Sequence, residues 1–163
     1  PEKKNAITAD MYQALADGLT EASNNGDIRL VTLIGNDTAF CAGNDLKDFL
    51  EKPPHAEDSP VWQFLFALAS CKKPMIAGVN GPAVGIGTTL LLHCDLIVAS
   101  DSAVFALPFT SLGLCPEAGS SLLMPESAGL KKATEWLLLG DRFNNRQAEH
   151  FGIINRAVET AEQ

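Results

Sequence analysis

The chain has 163 residues and a mass of 17.4 kDa, the length of a single domain. Hydrophobic residues make up 46% and charged residues 20%, which supplies a packed core and excludes intrinsic disorder. Twenty acidic against twelve basic residues leave a net charge of −8, so a phosphate backbone is repelled and nucleic acid is excluded as the expected partner.

Thr8 is placed to cap a helix, with Asp10 in the first turn at the positive end of the helix dipole. Met11, Leu15, Leu19 and Ala22 mark one face of that helix, and Asn24-Asn25-Gly26-Asp27 ends it. Leu30 to Ile34 is apolar and rich in β-branched residues, which predicts a buried strand broken by Gly35-Asn36-Asp37. A loop follows, then a short helix over Leu46 to Glu51 and a polar surface loop from Pro53 to Pro60. Val61 to Cys71 reads as a helix stopped by Lys72-Lys73-Pro74, and Met75 to Val79 as a strand ended by Asn80-Gly81-Pro82. Gly85-Ile86-Gly87 opens an apolar helix that runs to about His93. Asp95 to Ala99 and Ala103 to Leu107 read as strands, and Pro108 to Gly119 as largely loop. Helices are predicted from Ser120 to about Pro125, over Leu130 to Leu139 and over Asn145 to His150, with a last strand from Ile153 to Val158. Strands alternating with helices make the class α/β with a mostly parallel sheet, in one domain over residues 1–163.

Several chemistries are excluded. The longest apolar stretch, Ala83 to Leu92, falls short of the roughly 20 residues of a membrane span, so no membrane partner is expected. Cys41, Cys71, Cys94 and Cys115 form no C-x-x-C pair and are read as buried reduced thiols of an intracellular protein. His55, His93 and His150 have no ligand spacing, so no metal is expected. Gly85 to Leu90 does not complete a G-x-G-x-x-G fingerprint, and no P-loop, H-E-x-x-H or G-x-S-x-G is present. No resident cofactor is expected. The first residues, Pro1-Glu2-Lys3-Lys4-Asn5, are not a signal peptide, and a chain running from Pro1 to Gln163 reads as part of something longer.

Three strings remain. Ala42-Gly43-Asn44-Asp45 precedes a helix at Leu46, and Val84-Gly85-Ile86-Gly87 opens the helix near residue 86. Helix N-termini carry unpaired N–H groups, and small residues let a ligand approach them. If the N–H groups of Asn44 and Ile86 converge, they form an oxyanion hole. On spacing alone, two ordinary glycine turns are the commoner reading. The third is Glu117, with no other charged residue between Asp101 and Glu126. Poor solvation there would raise its pKa toward a value useful for proton transfer; an exposed carboxylate capping a helix is the competing reading.

In this order and spacing the strings resemble the crotonase, or enoyl-CoA hydratase/isomerase, superfamily. Phe40-Cys41-Ala42-Gly43-Asn44-Asp45-Leu46 is similar to its first oxyanion-hole loop, and Asn80-Gly81-Pro82-Ala83-Val84-Gly85-Ile86-Gly87 to its second. Pro1 to Ala6, Cys94 to Ala99 and Gly152 to Asn155 fall where the family has similar segments. The resemblance implies a spiral of ββα units, here without the first strands and the C-terminal helical region. It also implies an acyl-CoA substrate, a homotrimer or hexamer, and the backbone N–H groups of Asn44 and Ile86 as hole donors. Lys4, Asn5, Ala6 and Ile7, then Ala42, Gly43, Asn44, Asp45 and Leu46, would line the coenzyme A side; Gly85, Ile86, Gly87 and Phe109 would complete the substrate site. The compartment would be cytoplasmic in a bacterium, peroxisomal or mitochondrial in a eukaryote.

One departure bears on the reaction. Where hydratases of the family carry two glutamates, this chain has Thr89 and Phe109, and neither shuttles a proton. Its acid is Glu117, in a Pro-Glu-Ala-Gly-Ser-Ser string that resembles Δ3,Δ2-enoyl-CoA isomerases of the peroxisomal type and their bacterial relatives. The expected reaction is isomerisation of a 3-enoyl-CoA to a trans-2-enoyl-CoA. A hydratase with displaced machinery and a non-catalytic acyl-CoA-binding subunit are the alternatives. Trp62, Phe64, Phe66, Phe105, Phe109 and Trp136 are candidates for an acyl tunnel, though most aromatics of this kind are core. Lys3, Lys4, Lys47, Lys72 and Lys73 are the cations that could meet coenzyme A phosphates.

Overall fold

Thr8 does cap the first helix: its Oγ1 accepts the Met11 N–H at 3.3 Å. The structure is a computed structural model and describes residues 3–51, 54 and 56–159, so Pro1, Glu2, Lys52, Pro53, His55 and residues 160–163 lie outside it. In chain order the elements are α1 (Ala9–Asn24), β1 (Val31–Ile34), α2 (Leu46–Glu51), α3 (Pro60–Ala69) and β2 (Met75–Val79). Then come β3 (Pro82–Val84), α4 (Ile86–Thr89), β4 (Leu96–Ser100), β5 (Val104–Ala106) and α5 (Ser120–Ala128). The series ends with α6 (Leu130–Leu139), β6 (Phe143–Asn144), α7 (Asn145–His150) and β7 (Arg156–Val158).

Two sheets result. The first is fully parallel in the order β1-β2-β4-β7, with Leu33 beside Ala77, Ala77 beside Ile97 and Ala99 beside Ala157. The second has the order β3-β5-β6, with β3 and β5 parallel and β5 and β6 antiparallel. A strand of the first sheet turns a corner into a strand of the second and then into a helix: β2-β3-α4, then β4-β5 and on to α5. Gly81, at φ +66°, makes the first corner against the Thr38 carbonyl, where a Cβ would sit 2.5 Å away. This is the spiral of ββα units expected from the resemblance. β3 and β6 are not legible in the sequence because three and two residues are too few to show alternation.

Two boundaries and the inward face of one helix differ notably from the sequence reading. The apolar helix after Gly85 is α-helical only to Thr89 and tightens into a 3₁₀ turn over Leu90–His93. The last strand begins at Arg156 and not at Ile153, because the N–H groups of Ile153 and Ile154 both return to the Ala148 carbonyl and close α7. In α1 the buried residues are Tyr12, Ala16, Leu19 and Ala22, so the inward face is turned to admit Tyr12, while Met11 and Leu15 pack at its margin.

Met75, Ala77 and Val79 point from β2 into the core, and on the other side of the sheet Ile34, Leu96 and Val98 are exposed. Beyond the second sheet, Trp136 stacks on Phe143 at 3.9 Å and Phe143 on Phe105 at 5.3 Å. Phe64 is also core, its ring 5.3 Å from Tyr12. All four cysteines are free; Cys41 is buried, but Cys115 is exposed, which corrects the expectation of four buried thiols. Among the described residues no helix is long and apolar enough to cross a membrane, and no cluster of His, Cys, Asp or Glu is arranged to hold a metal ion.

Candidate active site

Glu117 lies just before α5, in a turn made by two successive left-handed residues, Ala118 at φ +52° and Gly119 at φ +67°. A left-handed alanine costs roughly 1–2 kcal/mol, so something must hold it. Ser120 N–H donates to the Glu117 carbonyl at 3.0 Å, and His93 Nε2 lies 2.8 Å from the Ala118 carbonyl. A carbonyl only accepts, so that nitrogen carries the proton. His93 is therefore neither a plain surface nor a plain core histidine; it secures the backbone beside the acid.

The Glu117 side chain is half-buried in the wall of a cavity of about 600 Å³, with Trp62, Phe66, Leu65, Phe109 and Asn44 among its neighbours. It is not an exposed helix cap. Burial pushes its pKa above the ordinary value, and a hydrogen bond from Thr89 opposes that rise. Thr89 Oγ1 donates to Glu117 Oε1 at 2.7 Å. Glu117 is the sole carboxylate lining the cavity among the described residues. Of the candidate tunnel aromatics, Trp62, Phe66 and Phe109 line it, whereas Phe64, Phe105 and Trp136 are core.

The two glycine-rich loops run side by side. The N–H groups of Phe40 and Cys41 donate to the Pro82 carbonyl at 3.1 and 3.0 Å, Val84 N–H returns to the Cys41 carbonyl at 2.9 Å, and Cys41 pairs with Ala83 as a parallel bridge. Gly43 then passes so close to Val84 that a Cβ would stand 3.1 Å from its carbonyl oxygen. Gly87 packs on Cys41, where a Cβ would stand 2.5 Å from the carbonyl oxygen. On either side of Asn44, Ile7 N–H donates to the Gly43 carbonyl at 2.8 Å and Asp45 N–H to the Ile7 carbonyl at 2.9 Å. The Asn44 N–H between them points away from Ile7 and meets no acceptor among the described residues. Gly85, at φ +55° and ψ −120°, caps α4 in a conformation that is strained for residues with a Cβ. The N–H groups of Thr88 and Thr89 return to its carbonyl, and the Ile86 N–H, first in the helix, meets no acceptor among the described residues. Two unpaired N–H groups on adjacent loops, with a poorly solvated carboxyl in the neighbouring wall, can stabilise an oxyanion and move a proton.

The remaining predicted residues divide between frame and edge. Lys4 and Asn5 both have positive φ, +54° and +56°. The Lys4 carbonyl accepts the Ala42 N–H at 3.0 Å, and Asn5 Nδ2 donates to the carbonyls of Ala39 and Phe40 at 3.0 and 3.1 Å, so this turn splints the first loop. Ala6 N–H closes a turn onto the Lys3 carbonyl at 3.1 Å. Asp45 Oδ1 accepts the N–H groups of Lys47 and Asp48 at 3.1 and 3.3 Å, capping α2, and its Oδ2 takes Lys3 Nζ at 2.6 Å. The Lys3 hydrogen bond, with the capping N–H groups, holds the Asp45 carboxyl below the usual range. Leu46 is exposed at the start of α2. Two residues were not found by sequence reasoning. Thr89 touches the acid, and the buried Tyr12 hydroxyl donates to Asn44 Oδ1. Burial, and then the nearby Glu117 and Cys41, push the Tyr12 phenol far up, so it stays a donor. The sequence reading places Met11, Leu15, Leu19 and Ala22 on the inward face of α1 and does not single out Tyr12.

The whole chain, residues 1–163, matches the profile of the Enoyl-CoA hydratase/isomerase family. The chain belongs to that family. It is 39% identical over 161 residues to enoyl-CoA delta isomerase 2 of Homo sapiens, covering 94% of this chain and 41% of that protein. With the 1,2-epoxyphenylacetyl-CoA isomerase of Escherichia coli strain K12 it shares 36% identity, covering 98% of this chain and 63% of the relative. The solved structure of Pseudomonas aeruginosa OdaA superposes with a TM-score of 0.92 at 51% identity, over 97% of this chain and 64% of that one. An enoyl-CoA hydratase/isomerase from Pseudoalteromonas atlantica T6c gives the same TM-score, 0.92, at 44% identity, over 98% and 63%. The chain thus spans about two fifths to just under two thirds of the length of these proteins. Its two sheets and their helices are the crotonase fold.

Proposed function

We propose that this chain is the core of an enoyl-CoA isomerase that converts a 3-enoyl-CoA to a trans-2-enoyl-CoA with Glu117 as the proton carrier. The observation that carries the reading is the lone carboxylate: Glu117 faces the cavity with no second carboxylate among the described lining residues, and Asn44, whose N–H meets no acceptor among the described residues, lines the same cavity. The delta isomerases among the relatives support it.

Moving a double bond from C3 to C2 needs a base and an acid, and a single carboxyl can serve as both. Glu117 takes a proton from C2, and the electron pair shifts into the thioester carbonyl. The resulting dienolate oxygen is held by the two N–H groups; one such donor is worth about 3 kcal/mol of barrier. Glu117 then returns the proton at C4, the oxyanion electrons flow back, and the C2–C3 double bond forms. Water addition needs a second group to orient water, and Thr89 and Phe109 stand at the positions where family hydratases have carboxylates. Phe109, Trp62 and Phe66 offer the acyl chain an apolar wall. The residues of the first loop, from Ala42 to Leu46, with Lys4 to Ile7, face the coenzyme A moiety in this reading, and Gly85 and Gly87 shape the second half of the hole. Coenzyme A is part of the substrate, and no resident cofactor takes part. The active protein is a homotrimer or hexamer in a compartment that holds acyl-CoA esters: cytoplasm in a bacterium, peroxisome or mitochondrion in a eukaryote.

The test is Glu117→Gln assayed on a 3-enoyl-CoA. Turnover should fall by about 10²–10⁴, the worth of general acid–base transfer, while binding of the CoA ester is retained. Undiminished turnover in the variant removes Glu117 from the reaction. Robust hydration of a 2-enoyl-CoA by the wild type would favour the hydratase alternative, and binding without any turnover the non-catalytic one.

A further inference from the structure

We propose that Thr89 is the positioning residue for Glu117: its hydroxyl ties down Oε1, so that Oε2 alone takes the proton from one carbon and returns it to another. The proposal rests on the isomerase reading for its chemistry, though the hydrogen bond itself does not.

Thr89 is fully buried, and Glu117 Oε1, at 2.7 Å, is the one partner of its Oγ1 among the described residues. The hydroxyl has little freedom to be elsewhere, because a β-branched side chain in a helix keeps few rotamers. The backbone beneath it is fixed as well: Thr89 N–H donates at 3.0 Å to the carbonyl of Gly85, the glycine whose turn frees the Ile86 N–H. One helical turn therefore carries a hole donor at its start and the anchor of the acid at its end. From the other side the Glu117 backbone is held through the Ala118 carbonyl by His93.

A carboxyl that serves C2 and C4 in turn must move without losing its place. Tethered at Oε1, it pivots about that oxygen, and Oε2 sweeps the short distance between carbons separated by one other. The tether survives each step, because Oε1 accepts from the hydroxyl whether the proton is on Oε2 or on the substrate. It is stronger to the carboxylate than to the acid, so it favours the basic form that starts the cycle and offsets part of the burial that disfavours that form. Simple satisfaction of a buried hydroxyl would place the same two atoms together and shift the same proton, but would leave kcat well above the midpoint unchanged.

Thr89→Val removes the hydroxyl at constant shape, and Thr89→Ser keeps it. Two readouts are needed: kcat against pH with a 3-enoyl-CoA, and the protonated carboxyl stretch of Glu117 by difference infrared spectroscopy against Glu117→Gln. In Thr89→Val the infrared midpoint and the acid limb of kcat should both move to higher pH, with kcat at neutral pH down about tenfold. Thr89→Ser should behave as the wild type. An unmoved midpoint in Thr89→Val, or equal shifts in both variants, overturns the proposal. The infrared titration needs no turnover. A shifted midpoint in a protein that isomerises nothing would therefore leave Thr89 as the tether of Glu117 and remove the isomerase reading.

Discussion

The Glu117 carboxyl is a place where folding and chemistry pull against each other. Burial raises its pKa above an ordinary value near 4.5. The folded state then binds that proton more readily than the unfolded chain does. Ionisation consequently destabilises the fold: nothing is lost below the unfolded pKa, and the full penalty is present above the folded one. Glu117→Gln should therefore melt with the wild type near pH 4 and progressively higher than it toward pH 8. Thermal melts across that range check this, and a difference that is flat or reversed would show that the carboxyl is not desolvated. Glu117 was legible in the sequence because it stands alone between Asp101 and Glu126. Thr89 and Tyr12 were not. Each touches a site residue 28 and 32 positions away, and helical periodicity says nothing about such partners.

At the scale of elements, two glycines of one turn do different work. Gly87 must be small because the Cys41 carbonyl leaves no room: a Cβ would lie 2.5 Å from its oxygen and 2.9 Å from the Cys41 Cβ. Gly85 has open space around it but holds φ +55°. Gly87→Ala should part the two loops, costing about 1–3 kcal/mol and most of the binding of a CoA ester. Gly85→Ala should cost about 1–3 kcal/mol through the backbone alone. Urea unfolding gives the stabilities, as a shift of midpoint at constant slope, and ester titration gives the binding. Equal binding losses in both variants would mean that the loop contact is not what matters. The sequence marked both glycines as helix openers, but only the packed loops separate a steric requirement from a conformational one.

For the whole molecule, stability and site are spatially divided. Trp136 is 2% exposed, stacks on Phe143 and meets Phe151 edge-on at 5.5 Å. Trp136→Ala should cost about 3–5 kcal/mol, yet the fraction that stays folded should bind the CoA ester as the wild type does. Denaturation and ester titration on the same sample test this, and a lost affinity in folded protein would tie the aromatic stack to the cavity. By itself the sequence determined the α/β class, most helices and long strands, and the isolation of Glu117, because these depend on local periodicity, glycine and proline placement and one unusual charge; the family was legible as a resemblance of motifs. The tertiary structure decided the division into two sheets, the strands of two and three residues, the turn of α1 that buries Tyr12, and the tie from Thr89 to Glu117. Those depend on which surfaces meet across tens of residues. A close approach such as Gly87 on Cys41, or one hydroxyl reaching one carboxyl oxygen, exists only once the chain has packed.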